Sequence, residues 1–348
     1  MLGMNFGDES CERGAISIAL VMREALVDSS KIAVLLPSSK IGVSRESREK
    51  TSSFETHGFE PGGEPAPAGP ARSLLDTLRP MHALHLYGAV GIAVFGWSLG
   101  RWAGFASGKL LPLWLGGALV VYNLDRLKRD PADSTNTPER VRRHGMLRRW
   151  SWLAAAAGAA VLVLWPLWLG NGGLLLLTAL ALPLALSYSF PLLGQRLKDV
   201  PVLKTLFVPL AVLMAVLVPP IILQGLAVRP PLLLVAGWSW CLLMFNMLLC
   251  DLRDIEGDRA AGTRSLPVLL GAKQTQRLLW LLMVAGAACA LMRGWPILSA
   301  ATAALLILLT LAVQRRRSEA FYEWLADGTL FLPALVDLGK HLAHRLSA

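Results

Sequence analysis

Residues 241–271 read "CLLMFNMLLCDLRDIEGDRAAGTRSLPVLLG": an apolar run passes without a break into Asp251, Asp254 and Asp258, with Arg253, Glu256 and Arg259 between them. On a continuous helix, about 100° per residue places the three aspartates within an arc of roughly 60°, while Arg253 and Glu256 point elsewhere. An Asp at bilayer depth costs about 2.5–3.5 kcal/mol on insertion scales, less near the interface, and carboxylates sharing a face repel one another. Such a face calls for a cation. Mg2+ suits it, because this ion takes hard oxygen ligands, keeps several waters and bridges one or two carboxylates to substrate phosphates. Neighbouring arginines can grip the same phosphate oxygens. The plainer alternative is a solvated helix end with Asp251, Arg253, Asp254 and Arg259 paired locally. Three acids in register on a helix apolar enough for lipid weigh against it.

The rest of the chain carries the same apolar character. Of its 348 residues 54% are hydrophobic and 17% charged, with a mean hydropathy of +0.50, where soluble domains average about 25% charged. From about residue 82 onward, apolar segments near the roughly 20 residues needed to cross a bilayer core recur at about 82–100, 109–125, 149–169, 172–190, 201–222, 230–250, 276–293, 295–313 and 320–338. The expected fold is an all-α polytopic membrane protein, a bundle of about nine transmembrane helices in a domain spanning 72–348. Residues 1–71 differ: polar, and ending in "EPGGEPAPAGPAR", they read as a disordered or weakly ordered extension with a Pro/Gly linker. Met81, just ahead of the first long apolar run, makes that leader a candidate upstream extension of the reading frame.

The net charge of +10 sits in short segments between apolar runs, a pattern of anionic headgroups and topology rather than of nucleic-acid binding. Lys and Arg concentrate in the loops after the second, fourth, sixth and eighth segments, whereas the opposite loops hold only Arg101, Lys109, Arg229 and Arg293. The positive-inside rule then puts the even loops and the N-terminus in the cytoplasm, with the protein in an inner or cytoplasmic membrane. Cys11, Cys241, Cys250 and Cys289 show no paired spacing, so neither a disulfide framework nor a zinc site is indicated.

The second apolar segment ends in a similar style, "LVVYNLDRLKRDPADSTNTPERVRRHG". On an ideal helix Asn123 and Asp130 lie about 20° apart with Arg126 on the same side, and Asp125 points roughly opposite. Asp125 and Arg129 also form an i,i+4 pair, the signature of a surface salt bridge. Pro131 disfavours helical geometry at Asp130. Both acidic helix ends face one side of the membrane, so a cavity between them could hold a diphosphate through metal ions.

At this point the residues resemble the UbiA-type intramembrane prenyltransferase family. "CDLRDIEGDRAAGTRSLPVLLG" is similar to that family's second Asp-rich motif and trailing segment, including Gly257, Arg259, Gly262, Leu266, Pro267 and Gly271, and "YSFPLLGQRLKDVPVLKTLFV", from Tyr188, resembles its loop between helices four and five. The resemblance covers about residues 80–340. It implies an enzyme, a transferase of alkyl groups other than methyl, that moves a prenyl group from a Mg2+-bound prenyl diphosphate to a lipophilic, often aromatic, acceptor within the bilayer. Asp251, Asp254, Asp258, Asn123, Asp125 and Asp130 are then the expected metal-binding and catalytic set. Arg126, Arg253, Arg259, Lys204, Arg196, Lys198 and Tyr188 are the expected diphosphate contacts. The chain departs from the family's first motif, Asn-Asp-x-x-Asp-x-x-x-Asp: with its Asn on Asn123, the acids fall on Leu124, Leu127 and Pro131. Leu192 stands where a Lys follows the loop tyrosine, leaving Arg196, Lys198 or Lys204 to substitute.

A transporter or lipid-binding protein on the same scaffold would more often carry charge at mid-membrane, with broken helices and repeats, and a non-catalytic family member is the remaining alternative. Asp327, an acid inside the ninth segment, is a candidate acceptor contact, unless a partner such as Thr329 makes it structural. His82, His85, His341 and His344 read as interfacial, and Trp97, Trp102, Trp150 and Trp295 as an aromatic belt. No Ser-His-Asp arrangement, Walker loop or dinucleotide fingerprint is present.

Overall fold

The computed structural model describes residues 84–105, 107–128, 131–192, 194–225, 230–313 and 321–347. The leader 1–71, His82 and Asp130 lie outside them. Every regular element among the described residues is helical. The long helices are α1 (Leu86–Trp102), α2 (Leu111–Leu127), α5 (Arg148–Trp168), α6 (Gly172–Leu186), α7 (Leu203–Gln224), α8 (Pro230–Arg253), α11 (Ala272–Met292), α12 (Pro296–Val313) and α13 (Leu332–Ser347). Short helices fill two connections: α3 (Pro131–Asn136) and α4 (Pro138–Met146) after α2, and α9 (Ile255–Ala260) and α10 (Leu266–Leu270) after α8. Among the described residues four helices, α5, α7, α8 and α11, are long and apolar enough to cross a membrane, and α6 and Pro296–Thr310 are shorter apolar helices.

Each long helix packs on its neighbour in sequence, and α13 returns to α1, so the chain closes a ring. Inside it, α1 also touches α7 and α2 touches α6. The core is built from large side chains, Phe95, Trp238 and Phe245 among them, fully shielded. Outward-facing residues such as Leu164, Leu180, Leu281 and Leu308 are exposed, the reverse of a water-soluble surface and suited to acyl chains.

Small residues let the helices approach. Gly116 of α2 faces Gly158 of α5, and a Cβ on Gly158 would sit 2.6 Å from the Gly116 carbonyl oxygen. Gly96 of α1 admits the ring of Trp114, which a Cβ there would meet at 2.8 Å. Trp114 in turn repairs a defect in α7. Pro219 has no N–H to give the carbonyl four residues back, and the Trp114 indole donates to that Ala215 carbonyl at 2.9 Å. Asn171 caps α6 by accepting from the Leu174 N–H at 2.9 Å, and Gly225 ends α7 in the left-handed conformation at φ 62°.

The ninth apolar segment is less regular than its hydropathy implies. It opens as a π turn, Tyr322–Ala326, then a 3-10 turn, Asp327–Phe331, before α13 begins. Asn246 of α8 donates to the Ala326 carbonyl and to the Thr329 hydroxyl, the latter at 3.0 Å. That side chain supplies the partners the broken ladder needs. The aromatic belt is also redistributed: Trp150 is exposed, whereas Trp102 packs on Trp238 and Trp295 at ring separations of 5.3 and 5.0 Å and donates to Asp337 at 3.0 Å.

Gly158→Ala is expected to destabilise the bundle by about 1–3 kcal/mol through overpacking against backbone. Gly117→Ala, whose Cβ would meet only Leu162 at 3.8 Å, is expected to stay within about 0.5 kcal/mol. Thermal unfolding of the detergent-solubilised chain measures both.

Candidate active site

The end of α8 does not continue as one helix. It stops at Arg253, Asp254 stands just ahead of α9 without a capping hydrogen bond from its side chain, and the two segments meet at a break. The ideal projection that put three aspartates on one face therefore splits into two arrangements. Asp251 and Asp258, each 1% exposed, turn toward Lys204 of α7, whose ammonium lies 3.5 Å from Asp251 and 2.5 Å from Asp258. Asp254 instead pairs with Arg253, at 2.6 and 3.0 Å in a two-pronged contact. So Arg253, expected to point away, is the partner of the middle aspartate. The Arg253 guanidinium also stacks 5.0 Å from the Tyr322 ring.

Thr205 fixes Asp251. Its hydroxyl donates to the Asp251 carboxylate at 2.6 Å and accepts from the Leu266 N–H at 3.1 Å. The turn after α9 is thereby tied to the start of α7, a tie repeated by the Val202 N–H on the Arg264 carbonyl at 2.9 Å. Val202 adopts φ 67°, a left-handed conformation uncommon for a β-branched residue, held where α7 must present Lys204 and Thr205. Burial raises the Asp258 carboxyl above its usual range against the pull of Lys204. Burial also works to raise Asp254, but Arg253 and then Lys204 outweigh it and hold that carboxyl low.

The first acidic segment differs from its sequence reading. α2 ends at Leu127 and the backbone turns extended at Lys128; Asp130 lies outside the described residues. Asn123 is fully buried and donates to the Leu84 and Leu119 carbonyls at 3.1 and 3.0 Å; it ties α2 to the start of α1 and lies outside the cavity wall. Asp125, expected on the far side, faces the cavity. It accepts from the Ser189 hydroxyl and lies 3.8 Å from Lys198 and 3.9 Å from Arg126. Lys198 arrives because the loop after α6 folds back, with the Leu197 and Lys198 amides on the Ser187 and Tyr188 carbonyls. Arg196 is engaged with Asp199 at 2.6 Å instead, and Arg259 is exposed.

The two acidic ends are joined through α3. Asn136 accepts from the Gly257 N–H at 3.0 Å and donates to the Asp254 carbonyl at 3.3 Å. Only a residue without a side chain allows this, since a Cβ on Gly257 would meet the Asn136 Oδ1 at 2.2 Å. Asp133 of the same short helix pairs with Arg126 at 2.6 Å. Sequence reading passed over Asp133 and Asn136, although Pro131 at the first helical position was a start signal for α3.

All of this opens on one cavity of about 570 Å³. Its mouth holds Asp125, Lys198, Lys204, Asp251, Asp254 and Asp258. Arg126, Arg140 and Arg253 line it beside Asp327 and Tyr322. Burial, with Arg126 and Arg253 nearby, works against the Arg140 charge. His85, read as interfacial, lines the wall and stacks on Tyr122 at 5.5 Å. Tyr188 stacks on Phe207 at 5.6 Å with the Lys198 ammonium 6.0 Å from its ring. Below the mouth the wall is apolar, supplied by α2, α6 and α7 down to Trp114 and Pro219. From Lys204 to Pro219 the wall of α7 runs for about 22 Å at 1.5 Å per residue.

Among the described residues no three His, Cys, Asp or Glu side chains converge as a ready-made metal cage. The oxygen donors around the mouth fit the other mode, in which a divalent ion takes one or two carboxylates and completes its shell with water and phosphate. Lys204→Met would leave Asp251 and Asp258 buried without their cation. It is expected to cost about 3 kcal/mol or more of stability, read as a lowered midpoint in thermal unfolding.

No curated protein sequence matches the chain. Among solved structures, the fold is similar to the apo structure of a UbiA homolog from Aeropyrum pernix K1, at 22% identity over 73% of this chain and 98% of that one, with a TM-score of 0.53. It is also similar to a UbiA homolog from Archaeoglobus fulgidus bound to GPP and Mg2+, at 15% identity over 74% and 99%, with a TM-score of 0.51. These likenesses bear on the fold. A profile of the UbiA prenyltransferase family matches residues 130–322, more than half of the chain, and the chain belongs to that family.

Proposed function

We propose that the chain transfers a prenyl group from a prenyl diphosphate to a lipophilic acceptor inside the membrane, with the charged mouth toward the cytoplasm. One observation carries the reading: a single cavity joins a mouth lined by carboxylates and cations to an apolar limb about 22 Å long. A diphosphate ester on a long hydrocarbon has that same division of polarity. The binding of GPP and Mg2+ by the Archaeoglobus fulgidus homolog supports it.

In this proposal Lys198, Lys204, Arg126 and Arg253 receive the diphosphate and offset the negative charge that grows on it as the allylic C–O bond breaks. Mg2+ would be held by one or two of Asp125, Asp251, Asp254 and Asp258 together with the diphosphate, and it supplies further neutralisation of the leaving group. The apolar limb keeps water from the cationic carbon, and the Tyr188 face lies beside the mouth for it. Asp327, on the cavity wall, is the proposed acceptor contact. Asn123, Arg196 and Arg259 take supporting places outside the reacting groups.

The test is conversion of radiolabelled prenyl diphosphates with a panel of aromatic and lipid acceptors, with and without Mg2+. Mg2+-dependent product is expected, falling at least about 100-fold in Asp254→Asn. Substrate flux across vesicles without chemical conversion would replace this reading with transport. A second expectation concerns the floor. Trp114→Ala opens the deep end of the limb and should raise kcat/KM for a 20-carbon donor relative to a 10-carbon donor by at least about threefold, measured in direct competition.

A further inference from the structure

Below the charged mouth, where α1, α2 and α8 come together with the ninth segment, the cavity wall carries two uncharged polar side chains that the proposed transfer leaves unused, Tyr122 and Asn246. Tyr122 stands three residues before Asp125 and Asn246 five before Asp251. At 1.5 Å per residue this sets them roughly 5 and 8 Å below those acids along α2 and α8. A diphosphate held at the mouth would bring its first carbon to about that depth. Leu243, Met247 and Leu330 line the same side, so the two groups stand in apolar surroundings.

Both side chains are held in place with hydrogen-bonding capacity to spare. The two N–H groups of the Asn246 amide go to the Ala326 carbonyl and the Thr329 hydroxyl, and Thr329 donates to the same Ala326 carbonyl at 2.8 Å. That leaves the Asn246 Oδ1, which accepts and does not donate; among the described residues nothing donates to it. The Tyr122 ring lies between His85, stacked at 5.5 Å, and Gly88, where a Cβ would meet its Cε2 at 3.7 Å. Its hydroxyl both donates and accepts, and among the described residues it has no hydrogen-bond partner.

We propose that Tyr122 and Asn246 are specificity-determining residues that seat a neutral, hydroxyl-bearing prenyl acceptor, the hydroxyl donating to Asn246 Oδ1 and accepting from the Tyr122 O–H. As an acceptor seat it rests on the prenyl-transfer reading. The charges around it select a neutral group: Asp327 on the same wall opposes a carboxylate, and Arg126, Arg140 and Arg253 in the same cavity oppose an ammonium. A ligand that covers these two groups without matching them leaves both unpaired away from water, which is how a polar seat rejects an analogue lacking the hydroxyl.

Equilibrium dialysis of the full chain in neutral detergent tests the seat with two probes of one ring system, 1-naphthol and 1-methylnaphthalene, each corrected for uptake by protein-free micelles. The wild-type chain is expected to retain 1-naphthol at least about tenfold better, the equivalent of two net hydrogen bonds. Tyr122→Phe should lower that ratio about fivefold and leave the thermal unfolding midpoint unchanged, because the hydroxyl has no partner to lose. Asn246→Leu should lower the ratio similarly; if loss of its bonds to the ninth segment prevents folding, Tyr122→Phe decides the matter. Thr178→Val, on the α6 side of the cavity, should keep the ratio, since that hydroxyl is turned back on the Leu174 carbonyl at 2.9 Å. A wild-type ratio near one, an unchanged ratio in Tyr122→Phe, or an equal loss in Thr178→Val would each overturn the proposal. Full preference without prenyl transfer in the radiolabel assay would uphold the hydroxyl seat and overturn the reaction assigned to it, whereas prenyl transfer without the preference would do the reverse.

Discussion

Everything at the mouth depends on how two shielded carboxylates are neutralised. Asp251 and Asp258 reach the same place from either side of a helix break, and neither has water to turn to. Lys204 supplies the counter-charge from α7. Because breaking such a pair costs far more than the pair contributes, α7, α8 and α9 are locked into one arrangement around it. Thr205, next in sequence to Lys204, adds a hydrogen bond to Asp251 and holds the trailing segment at Leu266. One stretch of α7 thus positions an acid, a cation and a loop together.

Under the proposed function, the same arrangement would receive an anionic substrate. A lysine shared by two carboxylates is a cation already paid for, since desolvating it was compensated in folding. An incoming diphosphate would compete for that ammonium, and its charge would be offset by Lys204, Lys198, Arg253 and Arg126. The carboxylates it displaced would be hard oxygen donors beside a phosphate, the setting in which a divalent ion binds. Acid and base serve each other in the resting chain and, on that proposal, would serve substrate and metal in the loaded one.

The apolar limb follows from a different constraint. Pro219 opens a gap in the α7 ladder, and an unsatisfied carbonyl in hydrocarbon is expensive. The Trp114 indole closes it, and Gly96 makes the room for that ring. A backbone defect in one helix, an aromatic in a second and a glycine in a third are thus one device that ends the limb. The break in the ninth segment is resolved in the same manner by Asn246, which places Asp327 at the cavity wall.

Hydropathy located the helices, because a bilayer demands nearly the same apolar length of each, and the acids at the end of α8 declared the family through their spacing with Gly257 and Pro267. Those features are local, and sequence alone determines them. The identity of the groups that meet is not local. Asp125 and not Asn123 stands at the wall because the face of α2 that holds Asn123 packs against the start of α1, where it donates to the Leu84 carbonyl. Arg253 joined Asp254 because the chain bends between them. His85, Asp133 and Asn136 entered through packing of short segments that no periodicity marks. Charge in a membrane is settled by which partner from another helix lies within a few ångströms, and only the closed ring of helices decides that.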